Sequence, residues 1–134
     1  MTRRWWCLAV AAAAGCRRDN APMDVFPEAA PGGWRRVSLR EIAASDTPDP
    51  VPRTAVQRAQ EAVYQAAGGA ELDARAYRLS SDAVGLELAQ RWRPSADTVF
   101  FNRGKYFVVV KWQQAERQAL QAFVKDVNAR LAPK

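Results

Sequence analysis

From about Thr54 onward, apolar residues recur first at every second position and then at helical spacing, and the chain runs through this plan twice. In the first pass Ala62-Val63-Tyr64-Gln65-Ala66-Ala67 leads to Gly68-Gly69, a dipeptide that accepts the positive φ of a hairpin turn. Residues 71–79 follow as a second strand, with Leu72, Ala74 and Ala76 on one face and Asp73, Arg75 and Tyr77 on the other. A helix begins at Ser80, whose hydroxyl can cap free backbone amides, and Leu79 and Val84 have the spacing of a hydrophobic staple. Asp82 in its first turn and Arg91 and Arg93 in its last suit the helix dipole. Val84, Leu88 and Trp92 recur at four-residue steps, and Pro94 stops the helix.

The second pass is denser in strand formers. Thr98-Val99-Phe100-Phe101 and Tyr106-Phe107-Val108-Val109-Val110-Lys111-Trp112 are joined by Asn102-Arg103-Gly104-Lys105, whose Asn and Gly suit a tight turn. A closing helix is expected over residues 113–131, with Leu120, Phe123, Val124, Val127 and Leu131 as its apolar stripe. Two ββα units predict an α+β domain over residues 54–134, a four-stranded antiparallel sheet with both helices on one face. That arrangement leaves a question. In the last strand Phe107 and Val109 are apolar as well as Tyr106, Val108, Val110 and Trp112, and Phe100 and Phe101 point to opposite faces. A sheet covered on one side would expose Phe100, Phe107, Val109 and Tyr77 as an apolar binding face. An upstream segment, a second copy of the chain or a ligand could cover it.

Upstream, residues 17–53 hold six of the eight prolines together with Gly32-Gly33, the composition of an extended connector. Trp34-Arg35-Arg36-Val37-Ser38-Leu39-Arg40 alternates at period two within it, so residues 34–42 are expected to dock as an edge strand or overlay, and residues 17–23 to be unstructured. Before the connector, residues 1–15 have the three parts of an export signal. Arg3 and Arg4 are the positive start, residues 5–14 are uncharged and too short to span a bilayer, and Ala13-Ala14-Gly15 are small residues before Cys16. Small residues ending in a cysteine resemble the lipobox of bacterial lipoproteins, although Ala13 stands where that motif most often has leucine. The resemblance implies cleavage before Cys16, its lipidation and anchorage in a membrane. Arg17 in place of aspartate favours the outer membrane, facing the periplasm.

Composition narrows the chemistry. The signal removes Arg3 and Arg4, so the net charge falls from +6 to +4, and the remaining basic residues form no block of the kind nucleic acid requires. There is no histidine, Cys7 lies inside the signal and Cys16 would be acylated. A disulfide, a histidine base and a histidine or thiolate metal site are therefore excluded, and neither a cofactor nor a metal is expected. Residual candidates are weak. Ser80-Ser81-Asp82 reads as a helix cap, Glu71 and Asp73 as a carboxylate pair or a solvated strand face, and residues 102–105 as an anion cradle or an ordinary turn. Trp92, Arg93, Lys111 and Trp112 could form a basic-aromatic patch, or the two indoles could pack between helix and sheet.

Glu71-Leu72-Asp73-Ala74-Arg75-Ala76-Tyr77, Gln90-Arg91-Trp92-Arg93-Pro94, Asp97-Thr98-Val99-Phe100-Phe101 and Tyr106-Phe107-Val108-Val109-Val110 resemble an uncharacterised family of bacterial envelope proteins. It is a domain of unknown function found mainly in acidobacterial hypothetical proteins and lipoproteins. The resemblance implies an envelope location and an α+β domain, and brings no catalytic residues. The expectation is a lipid-anchored, non-enzymatic envelope protein that acts as an interaction or scaffold module, with an envelope protein or a second copy as partner. The alternative is a carrier of a small apolar ligand or lipid.

Overall fold

The computed structural model describes residues 23–48, 50–93 and 95–131. The export signal, Cys16 and residues 17–22 lie outside them. Six strands form one antiparallel sheet: β1 (Ala29–Ala30), β2 (Trp34–Glu41), β3 (Val56–Ala66), β4 (Ala70–Leu79), β5 (Thr98–Arg103) and β6 (Tyr106–Gln113). Their order across the sheet is β1-β2-β3-β4-β6-β5, curved as a half-barrel, with helices α1 (Asp82–Arg91) and α2 (Arg117–Arg130). No helix of the described residues is long and apolar enough to cross a membrane.

This corrects the four-stranded sheet of two ββα units in two ways. The first concerns the strands. The proline-rich stretch contributes β1 and β2, because its prolines fall outside the Trp34–Glu41 run and leave every β2 amide able to pair. Arg36 N–H donates to Glu28 at 2.8 Å, its guanidinium reaches the Phe26 carbonyl, and the Tyr64 hydroxyl donates to Pro27 at 2.6 Å, so residues 23–30 are strapped across the sheet. Met23, expected to be unstructured, is buried with Val25 and Phe26.

The second concerns the helices, which lie on opposite faces. One face packs Ala62, Tyr64, Leu72, Ala74, Ala76, Val108 and Val110 against the N-terminal arm and against Leu120, Phe123 and Val127 of α2. The alanines leave room for large rings: Phe123 meets Tyr64 edge-on at 4.9 Å, and the Trp34 indole donates to the Ala119 carbonyl of α2 at 3.0 Å. The other face packs Ala59, Tyr77, Leu79 and Phe107 under Leu88 of α1 and Val51 of the 42–55 connection. Apolar residues on both sides of β6 are the reason, since each face has its own cover.

Local signals also moved by one to four residues. Ser81, not Ser80, caps α1, accepting from the Val84 amide at 3.3 Å. The helix ends at Arg91, Trp92 being already extended, and Pro94 lies outside the described residues. The strand β6 runs on through Gln113, so α2 begins at Arg117 rather than at residue 113. Gly68 and Gly69 take φ of 80° and 82° in the turn between β3 and β4, as their lack of a Cβ allows.

Candidate functional site

The cross-strand register builds the site. On the face beneath α1, side chains stand in rows across the sheet, and each row along the strands from α1 is more polar than the last. Ala59, Tyr77 and Phe107 form the innermost row. Next come Arg40, Glu61, Arg75, Val109 and Phe100, then Ser38, Val63, Asp73, Lys111 and Thr98. The helix covers only the first of these fully. Where it ends, Trp92 turns down onto the sheet, its ring 5.1 Å from Phe107 and 6.0 Å from Phe100. The step from helix to open sheet leaves a cleft of about 610 Å³. Tyr77 and Val109 floor it, Trp92 walls it on one side, Pro48 and Pro50 rim it, and Asp73, Arg75 and Lys111 stand at its polar end.

Within the polar end two carboxyl groups meet. Glu61 is 7 % exposed and accepts from Arg40 Nε at 2.7 Å and from Arg75 Nε at 3.1 Å. Burial alone would raise its pKa, but the hydrogen bond from Asp73 and the charges of Arg75 and Arg40 outweigh it and hold the carboxyl below the ordinary range. Asp73 goes the other way. Burial, then the hydrogen bond to Glu61 and its negative charge, push Asp73 up to about 6. Its Oδ1 is shut off from solvent without a hydrogen-bond partner, and Arg75 Nε stands 3.8 Å away. Of the pair, Asp73 is therefore the carboxyl that favours the proton at mildly acidic pH, and Glu61 the one that favours the charge. Burial raises the Tyr77 hydroxyl as well, against a hydrogen bond with Arg75.

The structure separates the residues singled out in the sequence. Of the four expected to form an exposed apolar face, Tyr77 and Phe107 are almost wholly buried beneath α1 and Phe100 packs on Trp92, so that the cleft is left with Val109 and the edge of Tyr77. Trp92, Arg93 and Lys111 do come together in the cleft, whereas Trp112 faces the other side. Glu71 shares the face of Asp73, but the carboxylate that meets Asp73 is Glu61. Ser81 is a cap, and residues 103–106 close an ordinary hairpin. Glu61 was missed because β3 starts at Val56, six residues before the expected strand, and only the β3–β4 register sets Glu61 beside Asp73.

Chemically, the cleft offers an apolar floor, an aromatic wall and cations beside the paired carboxyls. Among the described residues no group of three or more His, Cys, Asp or Glu is placed to hold a metal ion. Comparisons with protein-family models, with curated proteins and with solved structures find no match for the chain.

Proposed function

We propose that the protein is a non-catalytic binding protein, lipid-anchored through Cys16 on the periplasmic side of a bacterial envelope membrane, that carries a small ligand in the cleft between α1 and the sheet. The cleft carries this reading. Its floor of Tyr77 and Val109 and its wall of Trp92 suit a compact apolar body, and 610 Å³ is within the usual size of a small-molecule site. The apolar face expected to bind a partner instead lies largely under α1, which favours a carrier over a scaffold.

The scaffold reading keeps one observation. On the opposite face Val99, Trp112, Leu120 and Val124 line a second hollow between α2 and the edge strand β5. The two readings separate by titrating the full chain carrying Cys16→Ser with N-phenyl-1-naphthylamine, a neutral apolar reporter. A carrier binds it one to one and loses it when Val109 becomes Glu, while Val124→Glu has no effect. The reverse pattern returns the function to the face beside α2. The anchor is tested by intact mass and membrane fractionation: the wild-type chain should carry acyl groups on residue 16, and the Cys16→Ser variant should leave the membrane.

A further inference from the structure

The charges around the cleft are lopsided. Lys111 is the direct cross-strand neighbour of Asp73, and Arg91 and Arg93 approach from the end of α1. Among the described residues Lys111 and Arg93 pair with no carboxylate, and Arg91 makes only a loose 3.8 Å contact with an exposed Glu87. On the acidic side, the Glu61 charge is already neutralised by Arg40 from β2 and Arg75 from β4. Glu71 lies two residues along β4 on the same face, and Asp49, between the two rim prolines, is outside the described residues. This leaves Asp73 as the described acid whose state sets the charge of the cleft wall.

Taking the cleft as a ligand site, we infer that it takes a ligand with an anionic group joined to an apolar body, and that it holds this ligand tightly only while the Asp73–Glu61 pair keeps its proton. With the proton in place, Asp73 is neutral and the lysine and arginines face the anion unopposed. Without it, a second negative charge stands beside Lys111, competing for that lysine and repelling the ligand. Arginine and lysine side chains do not titrate between pH 5 and 7.5, whereas Asp73, held up to about 6 by burial and by Glu61, does. Binding therefore weakens as pH rises through about 6. A ligand loaded in an acidic compartment would be released in a neutral one.

The test uses two reporters that differ by one group. 8-Anilino-1-naphthalenesulfonate keeps its charge across this pH range, and N-phenyl-1-naphthylamine is the same body without the sulfonate. Both are titrated into the full chain carrying Cys16→Ser. The sulfonate should bind more tightly than the neutral reporter at pH 5, and roughly five- to tenfold more weakly at pH 7.5 than at pH 5, the effect of one charge near a partly solvated site. Asp73→Asn should hold the tight value at both pH values. Lys111→Gln should weaken the sulfonate by a larger factor than the neutral reporter. Octane-1-sulfonate should displace the reporter; displacement by anionic phospholipid vesicles alone would overturn a free ligand in favour of a membrane surface. If the neutral reporter binds as well as the sulfonate, or the sulfonate binds without pH dependence, the inference fails while the cleft stands. If neither reporter binds, the cleft reading itself falls.

Discussion

Trp34 is the residue on which the proline-rich arm depends, and replacing it measures whether that arm belongs to the fold. The indole is 2 % exposed, opens β2 and donates to the Ala119 carbonyl at 3.0 Å across the core. A buried tryptophan removes about 200 Å² from water, which at about 25 cal/mol per Å² is about 5 kcal/mol. A compact unfolded chain and the methyl left by alanine reduce that, so Trp34→Ala should cost about 3–5 kcal/mol. Trp34→Phe keeps the ring and loses the hydrogen bond, a cost of about 1–2 kcal/mol. Domains of this size are stable by about 5–10 kcal/mol, so the alanine variant would be marginal while the phenylalanine variant remains folded. Urea denaturation followed by circular dichroism reads both values. A loss below about 1.5 kcal/mol for Trp34→Ala, with an unchanged m-value, would show that the arm is outside the cooperative unit and refute the packing argument.

Four further outcomes follow from the geometry. Ser81→Ala removes the cap of α1 and should cost about 1 kcal/mol by the same assay, with Ser80→Ala nearly silent. Gly85→Ala should stabilise by about 0.5–1 kcal/mol although Gly85 is buried, because an added Cβ meets nothing nearer than the Gly104 carbonyl at 3.6 Å and the helix gains propensity. Gly32→Ala should destabilise, since its φ is +101° and a Cβ would stand 2.9 Å from the Ala119 carbonyl; thermal melting at neutral pH separates the two glycines. The pH dependence of stability has a definite sign. The raised pKa of Asp73 contributes stability that is full below the ordinary carboxylate range and is lost as pH rises through about 6, so the wild-type urea midpoint should fall between pH 5 and 7.5. Asp73→Asn should remove that fall, by less than about 1 kcal/mol because the side chain is 39 % exposed and water screens it.

Much of the sheet was readable residue by residue. The alternation of Leu72, Ala74 and Ala76 against Asp73, Arg75 and Tyr77 marks the two faces of β4, and the former three are fully buried. Val84 and Leu88, and likewise Leu120, Phe123 and Val127, mark the buried sides of their helices. A helical stripe, however, says which side of the helix is covered and not which face of a sheet covers it. The apolar residues on both sides of β6 held that information, since Phe107 and Val109 needed a cover, and α1 supplies most of it. Prolines hid β1, because a density of breakers reads as a connector, and so the alternating run over residues 34–40 read as an edge strand or overlay whereas β2 lies inside the sheet between β1 and β3. The cleft was the least legible feature. Its pieces come from β4, β5, β6, the rim prolines Pro48 and Pro50 and the end of α1, and their meeting depends on register, which no single strand encodes.

The graded rows on the α1 face bear on how such a protein can diversify. Tyr77 and Phe107 lock the sheet to its helix, yet two rows further along the strands stand Asp73, Lys111 and Thr98, all at least partly open to solvent. Exchanges in that outer row leave both hydrophobic clusters untouched, so they should alter what the cleft accepts while the fold tolerates them. Proteins sharing this architecture would then differ most in the chemistry of that surface and least in shape, each retuned at a few positions of one sheet face.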